Sequence, residues 1–459
     1  MFNQVLVVGG GIAGIQAALD LAEQDLKVFL VEKTPSIGGK MSQLDKTFPT
    51  LDCASCILTP KMVAVSRNKN IELLTYSEVR GISGKAGDFH VTVAKKPRYV
   101  NFDACTGCNE CVMKCPAKVP DEFNMGLGER KAIYIPFPQA VPRKATIDAE
   151  HCWRLTPPEK MRKNALERGI TLCGVCARVC PPNAIDFSQK EEVVDLNVSS
   201  IVIATGLELE DPRRVPEYGY GKHTNVYTHL EFERLLSSTG PTSGEVLRRS
   251  DGRHPKRIAF IQCVCSRDLR ANFYCSAFCC MASIRQSMLA KEHLPGVDCS
   301  VFYMDIRAFG KGYYQFFKRT EEEYGVKYIR GRVARIEEKP DTKNLMLVYE
   351  DTRLGSFVKA EFDMVVLAVG IKPSEISPAI PITVSGSKRL ESSLPVTLEV
   401  EEDRFVKLVN PYLNPVATSV NGIFVAGVAA GAKDVSDSVM QASAAAMKSS
   451  IVAKDAKAP

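Results

Sequence analysis

Any fold of this chain must satisfy the cysteines between Cys105 and Pro181. The stretch reads CTGCNECVMKCP, then a long spacer with a solitary Cys152, then CGVCARVCP. A Cys-x2-Cys-x2-Cys-x3-Cys-Pro run is the ligand pattern of paired [4Fe–4S] clusters, in which the cysteine before each proline crosses over to the other cluster. The pattern assigns Cys105, Cys108, Cys111 and Cys180 to one cluster. It assigns Cys152, Cys173, Cys176 and Cys115 to the other, with Cys152 pushed away from its run by an insertion, Trp153 to Leu172. Paired CxxC units also hold tetrahedral zinc, but the full run with its trailing proline favours iron–sulfur. Such a chain moves single electrons, and the rest of it is expected to supply or receive them.

The chain has 459 residues, enough for two to four domains. Its 45% hydrophobic and 24% charged residues describe an ordinary globular protein. The net charge of +6 comes without a basic block, so nucleic acid is not an expected partner. No run of roughly eighteen apolar residues argues for a membrane span. The start, MFNQVLVVGGG, enters a strand at once and lacks the features of a secretory signal. Sixteen cysteines in such a chain point to metal ligation in a reducing cytoplasm, not to a disulfide framework.

Residues 4–32 read QVLVVGGGIAGIQAALDLAEQDLKVFLVE. A buried strand, Gly9, Gly11 and Gly14 in GxGxxG, a helix and a second strand ending in Glu32 make a complete dinucleotide fingerprint. The glycines let pyrophosphate approach a helix N-terminus, and Glu32 is placed to accept from a ribose. An acid there disfavours a 2′-phosphate, so FAD or NAD is expected. The following KTPSIGGK brings Lys33, Gly38, Gly39 and Lys40. Its Gly-Gly pair looks like the loop that passes beneath the flavin in two-dinucleotide-binding, thioredoxin-reductase-like flavoproteins, and so selects FAD. Near the other end, NGIFVAGVAAGAKDVSDSV resembles the flavin-closing motif of that class: strand, Ala426-Gly427, then a helix beginning near Asp434 to Ser436. Val428 stands where that class usually has aspartate. The helix should aim its positive end at the flavin, and Lys433 could add charge there.

Residues 193–206 (VVDLNVSSIVIATG) read as strands that return the chain to the flavin domain. TIDAEHC resembles the approach to a ferredoxin's first ligand, so the cysteine stretch reads as a two-cluster ferredoxin spliced into a flavin fold. Its spacer KAIYIPFPQAVP is too proline-rich for a helix and is expected to cover the clusters or form a docking surface. KRIAFIQCV (256–264) opens a second Rossmann-like unit, but QCVCSRD replaces the glycines and should impair NAD(P) binding. Cysteines take their place: Cys263, Cys265, Cys275, Cys279 and Cys280. Cys263, Cys275 and Cys279 or Cys280, with Cys56 as a possible partner, are candidates for a third [4Fe–4S] cluster; buried thiols packing as small hydrophobes are the alternative. Cys53 and Cys56 in DCASC could instead be a redox-active pair, cluster ligands or plain cysteines. The expected class is therefore α/β, a two-dinucleotide-binding Rossmann flavoprotein with an inserted two-cluster ferredoxin domain. The expected divisions are 1–96 (flavin domain, first part), 97–190 (ferredoxin insert), 191–255 (return and linker), 256–370 (degenerate NAD-type unit) and 371–459 (flavin domain, C-terminal part).

The stretches VVGGGIAGIQAALDLA, TFPTLDCASCILTPKM, RKAIYIPFPQAVP, FIQCVCSRD, YCSAFCCM and KDVSDSVMQA resemble the A subunit of heterodisulfide reductase, the flavin and iron–sulfur subunit of methanogens. YGYGKHTNVYTHLEFERLL and GPTSGEVLRRSDG are similar to the A subunit of the quinone-interacting membrane-bound oxidoreductase. The resemblance implies an FAD and iron–sulfur electron-transfer subunit that works with other subunits and with ferredoxin or another low-potential carrier, and it admits a homodimer of the flavin subunit. It names no catalytic acid, base or nucleophile, because the family's disulfide chemistry resides on a different subunit. Cys265 departs from the family's QCVGSRD. The family's long form has an N-terminal extension and a C-terminal ferredoxin module not seen here, so electron bifurcation or confurcation does not carry over directly. The rival reading is a self-contained NAD(P)H-dependent iron–sulfur flavoprotein reductase, similar in layout to the small subunit of glutamate synthase.

Overall fold

The computed structural model describes residues 3–168, 172–375, 382–384 and 396–455. The apolar runs of the N-terminal third become the centre of a seven-stranded sheet. Its order is Leu408–Asn410, Asn414–Thr418, Ile423–Val425, Ser200–Ile203, Gln4–Val8, Lys27–Glu32 and Ile71–Thr75. The last five strands are mutually parallel, and strands buried on both faces explain why these runs are continuously apolar and do not alternate. Helices Ile12–Ala22 and Val435–Asp455 pack together on the sheet. Ala17, Ala18, Ala442, Ala445 and Ala446 are fully buried there, and their small side chains let the two helices approach closely.

The cysteine stretch leaves the flavin fold through a hairpin. Strand Asp88–Lys95 pairs antiparallel with Glu192–Val198, with Lys95 opposite Glu192. The chain thus exits and re-enters at neighbouring positions, so a module of about a hundred residues occupies the place of a turn without parting the sheet. Inside it, Lys118–Pro120 pairs with Glu129–Lys131, and Ile133–Tyr134 with Thr146–Ile147.

A two-stranded ribbon, Leu207–Leu209 with Ile371–Pro373, carries the chain to the second unit and back. The second sheet is parallel, in the order Val226–Thr228, Met364–Val369, Arg257–Val264, Asp298–Tyr303 and Lys327–Arg330. Strand Val226–Thr228 and helix His229–Leu236 therefore join this unit ahead of Lys256, the start expected from the sequence. They fall within the expected linker because a strand of three residues is too short to show a pattern. An antiparallel sheet, Val333–Glu338, Leu345–Asp351 and Ser356–Phe362, completes the unit.

Buried charge ties the parts together. Glu233 and Arg285, on neighbouring helices, form an ion pair with side chains 1% and 2% exposed. Glu233 also accepts from Gln286 (2.7 Å) and from the backbone N–H of Asp45 (2.8 Å). Arg285 donates to the carbonyl of Lys46. Arg234 donates to Gln43 O (2.8 Å) and Asn124 Oδ1 (3.0 Å). Second unit, flavin-domain loop and insert thus share one network. Arg285→Met leaves Glu233 buried without its cation and should cost about 3–5 kcal/mol in urea unfolding. Pairing it with Glu233→Gln should recover part of that loss.

Candidate flavin and iron–sulfur sites

The turn after the first strand is built of glycines for a steric reason. A side chain on Gly14 would collide with the carbonyl oxygen of Gly9, and one on Gly9 with that of Ala204. Gly39, at φ +54°, faces Gly11, and a Cβ there would lie 2.8 Å from the Gly11 Cα. The fingerprint and the Gly-Gly loop therefore meet, with bare backbone on both sides. Glu32 is buried; its Oε2 accepts from Gly10 N–H at 2.7 Å and its Oε1 from Thr34 N–H at 2.8 Å. Beside this turn the buried hydroxyl of Thr205 has no hydrogen-bond partner. Orphaned buried donors are rare, so this one fits a group bound at the turn, and Thr205 is a candidate that glycine counting missed.

Gly427, at φ +66°, packs against Ala13, and Val428 behind it is buried. Lys433 donates to the carbonyls of Gly427 and Gly431, both at 2.8 Å. Burial pushes its pKa down to about 8. Asp434 O accepts from Ser438 N–H and Asp434 Oδ1 from Asp437 N–H (2.9 Å), so the Asp434 carboxylate caps the start of helix Val435–Asp455. Lys33 is exposed and lies 3.9 Å from Glu208. Lys40 is half-buried, and burial lowers its pKa.

Cys105, Cys108, Cys111 and Cys180 line one partly open hollow of about 320 Å³, with Val100, Ala145 and Ala184 among its walls. Cys115, Cys152, Cys173 and Cys176 line a second, of about 350 Å³, with Ile133, Ile147 and Trp153. Short helices Glu110–Lys114 and Val175–Arg178 pack together between the two. Burial and the neighbouring sulfurs push the Cys111 thiol up to about 12 and the Cys176 thiol to about 11. Four thiols crowded round an apolar hollow cannot all ionise unless cations are shared among them. That donor set fits an iron–sulfur cluster.

The segment between the cysteine runs serves both sides. Ala132 and Ile133 face the second hollow, whereas Phe137, Ala140 and Val141 enter the core of the flavin sheet. Val141 O accepts from Ile37 N–H (2.9 Å), and Val141 N–H donates to Ser36 Oγ (2.8 Å). Three residues on, Lys144 donates to Cys105 O at 2.6 Å. Loop Ser36–Gly38 and the first hollow are therefore joined by a short run of chain.

A third hollow, of about 300 Å³, is lined by Cys263, Cys275, Cys279 and Cys280 with Ser266, Arg267, Asp305 and Arg307. Cys263, Cys265, Arg267 and Ala277 all have positive φ. Left-handed backbone at non-glycine residues costs roughly 1–2 kcal/mol each and persists where the surroundings over-determine it. Cys265 lies outside the hollow, its thiol 3.5 Å from Asp211 O. Cys56, a possible partner for this group by sequence, does not line the hollow. It is exposed at the start of helix Ala54–Arg67, where its N–H donates to Cys53 Sγ at 3.3 Å; the sequence gives no sign of which way that turn faces. Tyr274 and Phe278 from the third cysteine stretch pack with Val428 and Ala432 of the flavin-closing segment. Among the described residues no helix is long and apolar enough to cross a membrane.

This arrangement defines a two-dinucleotide-binding, thioredoxin-reductase-like flavoprotein fold with a ferredoxin-type domain spliced into it. A family model described as FAD dependent oxidoreductase matches residues 4–74, and one described as 4Fe-4S binding domain matches residues 98–121. The fold resembles thioredoxin reductase of Lactococcus lactis at a TM-score of 0.51, with 13% identity over 98% of this chain and 99% of that one. Along almost its whole length the chain is similar to the A subunits of heterodisulfide reductases. It is 49% identical, over 97% of its residues, to the iron-sulfur A subunit of the CoB–CoM heterodisulfide reductase of Methanocaldococcus jannaschii. It is 47% identical, over 98%, to the A subunit of the H(2):CoB-CoM heterodisulfide,ferredoxin reductase of Methanothermobacter thermautotrophicus. It spans 64% of the length of each.

Two measurements test the flavin cradle. Gly14→Ala should give purified protein with little flavin absorbance per chain. Lys433 titrates near 8 when folded and at an ordinary 10.5 when unfolded. Between those values the unfolded chain holds the extra proton, so the contribution of Lys433 to stability rises with pH. Measured against Lys433→Met, the flavin-free protein should gain unfolding free energy from pH 8 to 10.

Proposed function

We propose that this chain is the FAD and iron–sulfur electron-transfer subunit of a heterodisulfide-reductase-like complex, an oxidoreductase component that works with partner subunits. The observation that supports the reading is that two cysteine hollows are joined to different flavin-binding segments. One is joined to loop Ser36–Gly38 through Val141 to Lys144. The other is joined to Val428 and Ala432 through Tyr274 and Phe278.

Bound FAD would supply conversion between two-electron and one-electron transfer, and bound [4Fe–4S] clusters would carry single electrons at low potential. Gly9, Gly11, Gly14, Gly38 and Gly39 would admit the dinucleotide to bare backbone, and Glu32 would fix the turn through Gly10. Gly427 and Lys433 would close the flavin side. Cys105, Cys108, Cys111 and Cys180 would hold one cluster, and Cys115, Cys152, Cys173 and Cys176 the second. Cys263, Cys275, Cys279 and Cys280 would hold a third. The apolar walls of the hollows would exclude water. The proposed partners, in the cytoplasm, are other subunits of the complex, a ferredoxin or similar low-potential carrier, and a second copy of this chain. Operation inside a bifurcating or confurcating assembly is compatible with two separate routes away from one flavin.

The NAD(P)H-dependent alternative is disfavoured by the second sheet. The turn after Arg257–Val264 is filled by the cysteine stretch, and Gly370 packs so closely on Cys265 O that a Cβ there would collide with it. The anaerobically purified chain should contain roughly twelve irons per FAD, four for each of three cubanes, with cluster signals by electron paramagnetic resonance. Roughly eight would remove the third cluster, and four or fewer would overturn the reading. Neither NADH nor NADPH alone should bleach the flavin within a stopped-flow trace.

A further inference from the structure

Arg98 lies just before the first cysteine run and is 7% exposed. Its guanidinium donates to Thr146 Oγ1 (2.7 Å), Thr75 Oγ1 (2.6 Å) and Pro35 O (3.0 Å). All three acceptors are neutral. The rings of Tyr76 and Phe102 lie 5.6 and 5.9 Å from it. Burial lowers its pKa, and the neighbours that favour its charge are Tyr76, Tyr134 and Cys105, with no carboxylate among them.

Among the described residues, the other buried arginines have carboxylates beside them. Arg285 pairs with Glu233, and Arg130 with Glu122 and Asp148. Arg234, whose bonds are also to neutral acceptors, has the carboxylates of Glu233, Asp121 and Asp45 nearby. A buried charge without a counter-charge is costly. Arg98 adjoins the first hollow: Val100, two residues on, lines it with Cys105, and the Phe102 ring lies 5.9 Å from the Arg98 guanidinium. Lys144 stands on the same side, its ammonium on Cys105 O and 5.0 Å from the Phe102 ring.

We propose that Arg98 is the internal counter-cation of the cluster held by Cys105, Cys108, Cys111 and Cys180, and that it raises the potential of that cluster above that of its neighbour in the insert. The inference rests on the cluster reading above. Adding an electron to a thiolate-bound cluster adds one negative charge, and a fixed cation close by in a low-dielectric site stabilises the reduced form. Through Pro35 and Thr75 the same guanidinium braces the loop entering the flavin site. Arg98 is thus a positioning residue for the cluster held by Cys105, Cys108, Cys111 and Cys180 and does not itself react.

Redox titration of the intact iron-loaded protein, followed by electron paramagnetic resonance, tests this. In Arg98→Gln one of the two insert clusters should become harder to reduce by at least tenfold, about 59 mV for one electron, while the other stays where it was. Arg98→Lys should restore most of the shift. Lys144→Met, a half-buried site that remains usable should Arg98→Gln not fold, should move the same cluster in the same direction by less. Unchanged potentials in a fully loaded Arg98→Gln protein, or equal shifts in Arg98→Gln and Arg98→Lys, would overturn the proposal and leave the cluster reading standing. Absence of cluster signals from the wild-type protein would remove both.

Discussion

The contact on which the arrangement depends is the seating of Val141 against Ser36 and Ile37. Its N–H and C=O both bond to the flavin-domain loop, and its side chain joins the core of the flavin sheet. A module spliced into a hairpin at Lys95 and Glu192 could otherwise swing on its two strands. Anchoring a distant point of its chain converts that tether into a fixed distance. Electron transfer needs such a distance, because its rate falls steeply with separation, whereas the affinity of a cluster for its cysteines does not depend on it.

The second unit shows how a fold keeps its frame while its site changes. The parallel sheet and its crossover helix Cys279–His293 remain, but the turn that would cradle a pyrophosphate is a cysteine loop with left-handed residues at Cys263, Cys265 and Arg267. The same helix carries Cys279 and Cys280 at its start and Arg285 further on, where Arg285 meets Glu233 and the carbonyl of Lys46. One rigid helix thus sets both the third hollow and the docking of this unit on the flavin domain. Buried ion pairs contribute little net stability, but they tolerate few alternative geometries, which suits a chain whose parts must hold their spacing.

Much of this was legible in the residues. GxGxxG with its flanking strands reads as a nucleotide turn, and side chains at Gly9 and Gly14 would collide with backbone. Cys-x2-Cys-x2-Cys-x3-Cys-Pro is similarly constrained, because a short loop can wrap a cluster in few ways. Strand Val226–Thr228 was not legible, being too short to show a pattern and recruited by pairing with Met364–Val369. Thr205, Ser36 and Arg98 also escaped notice. Nothing in their local sequence marks them, and their significance is a matter of what lies opposite.

By itself the sequence determined the local chemistry: which turns must be glycine, which cysteines share a run, and that a flavin fold is interrupted by a cluster module. These depend on neighbours along the chain, whose geometry is fixed by covalent reach. Only the tertiary structure decided that Val141 bonds Ser36, that Cys56 stands apart from the third hollow, and that buried Arg98 donates to Thr75, Thr146 and Pro35, all neutral. Those facts join residues far apart in the chain, and burial and opposing charge are properties of the packed molecule that no single segment carries.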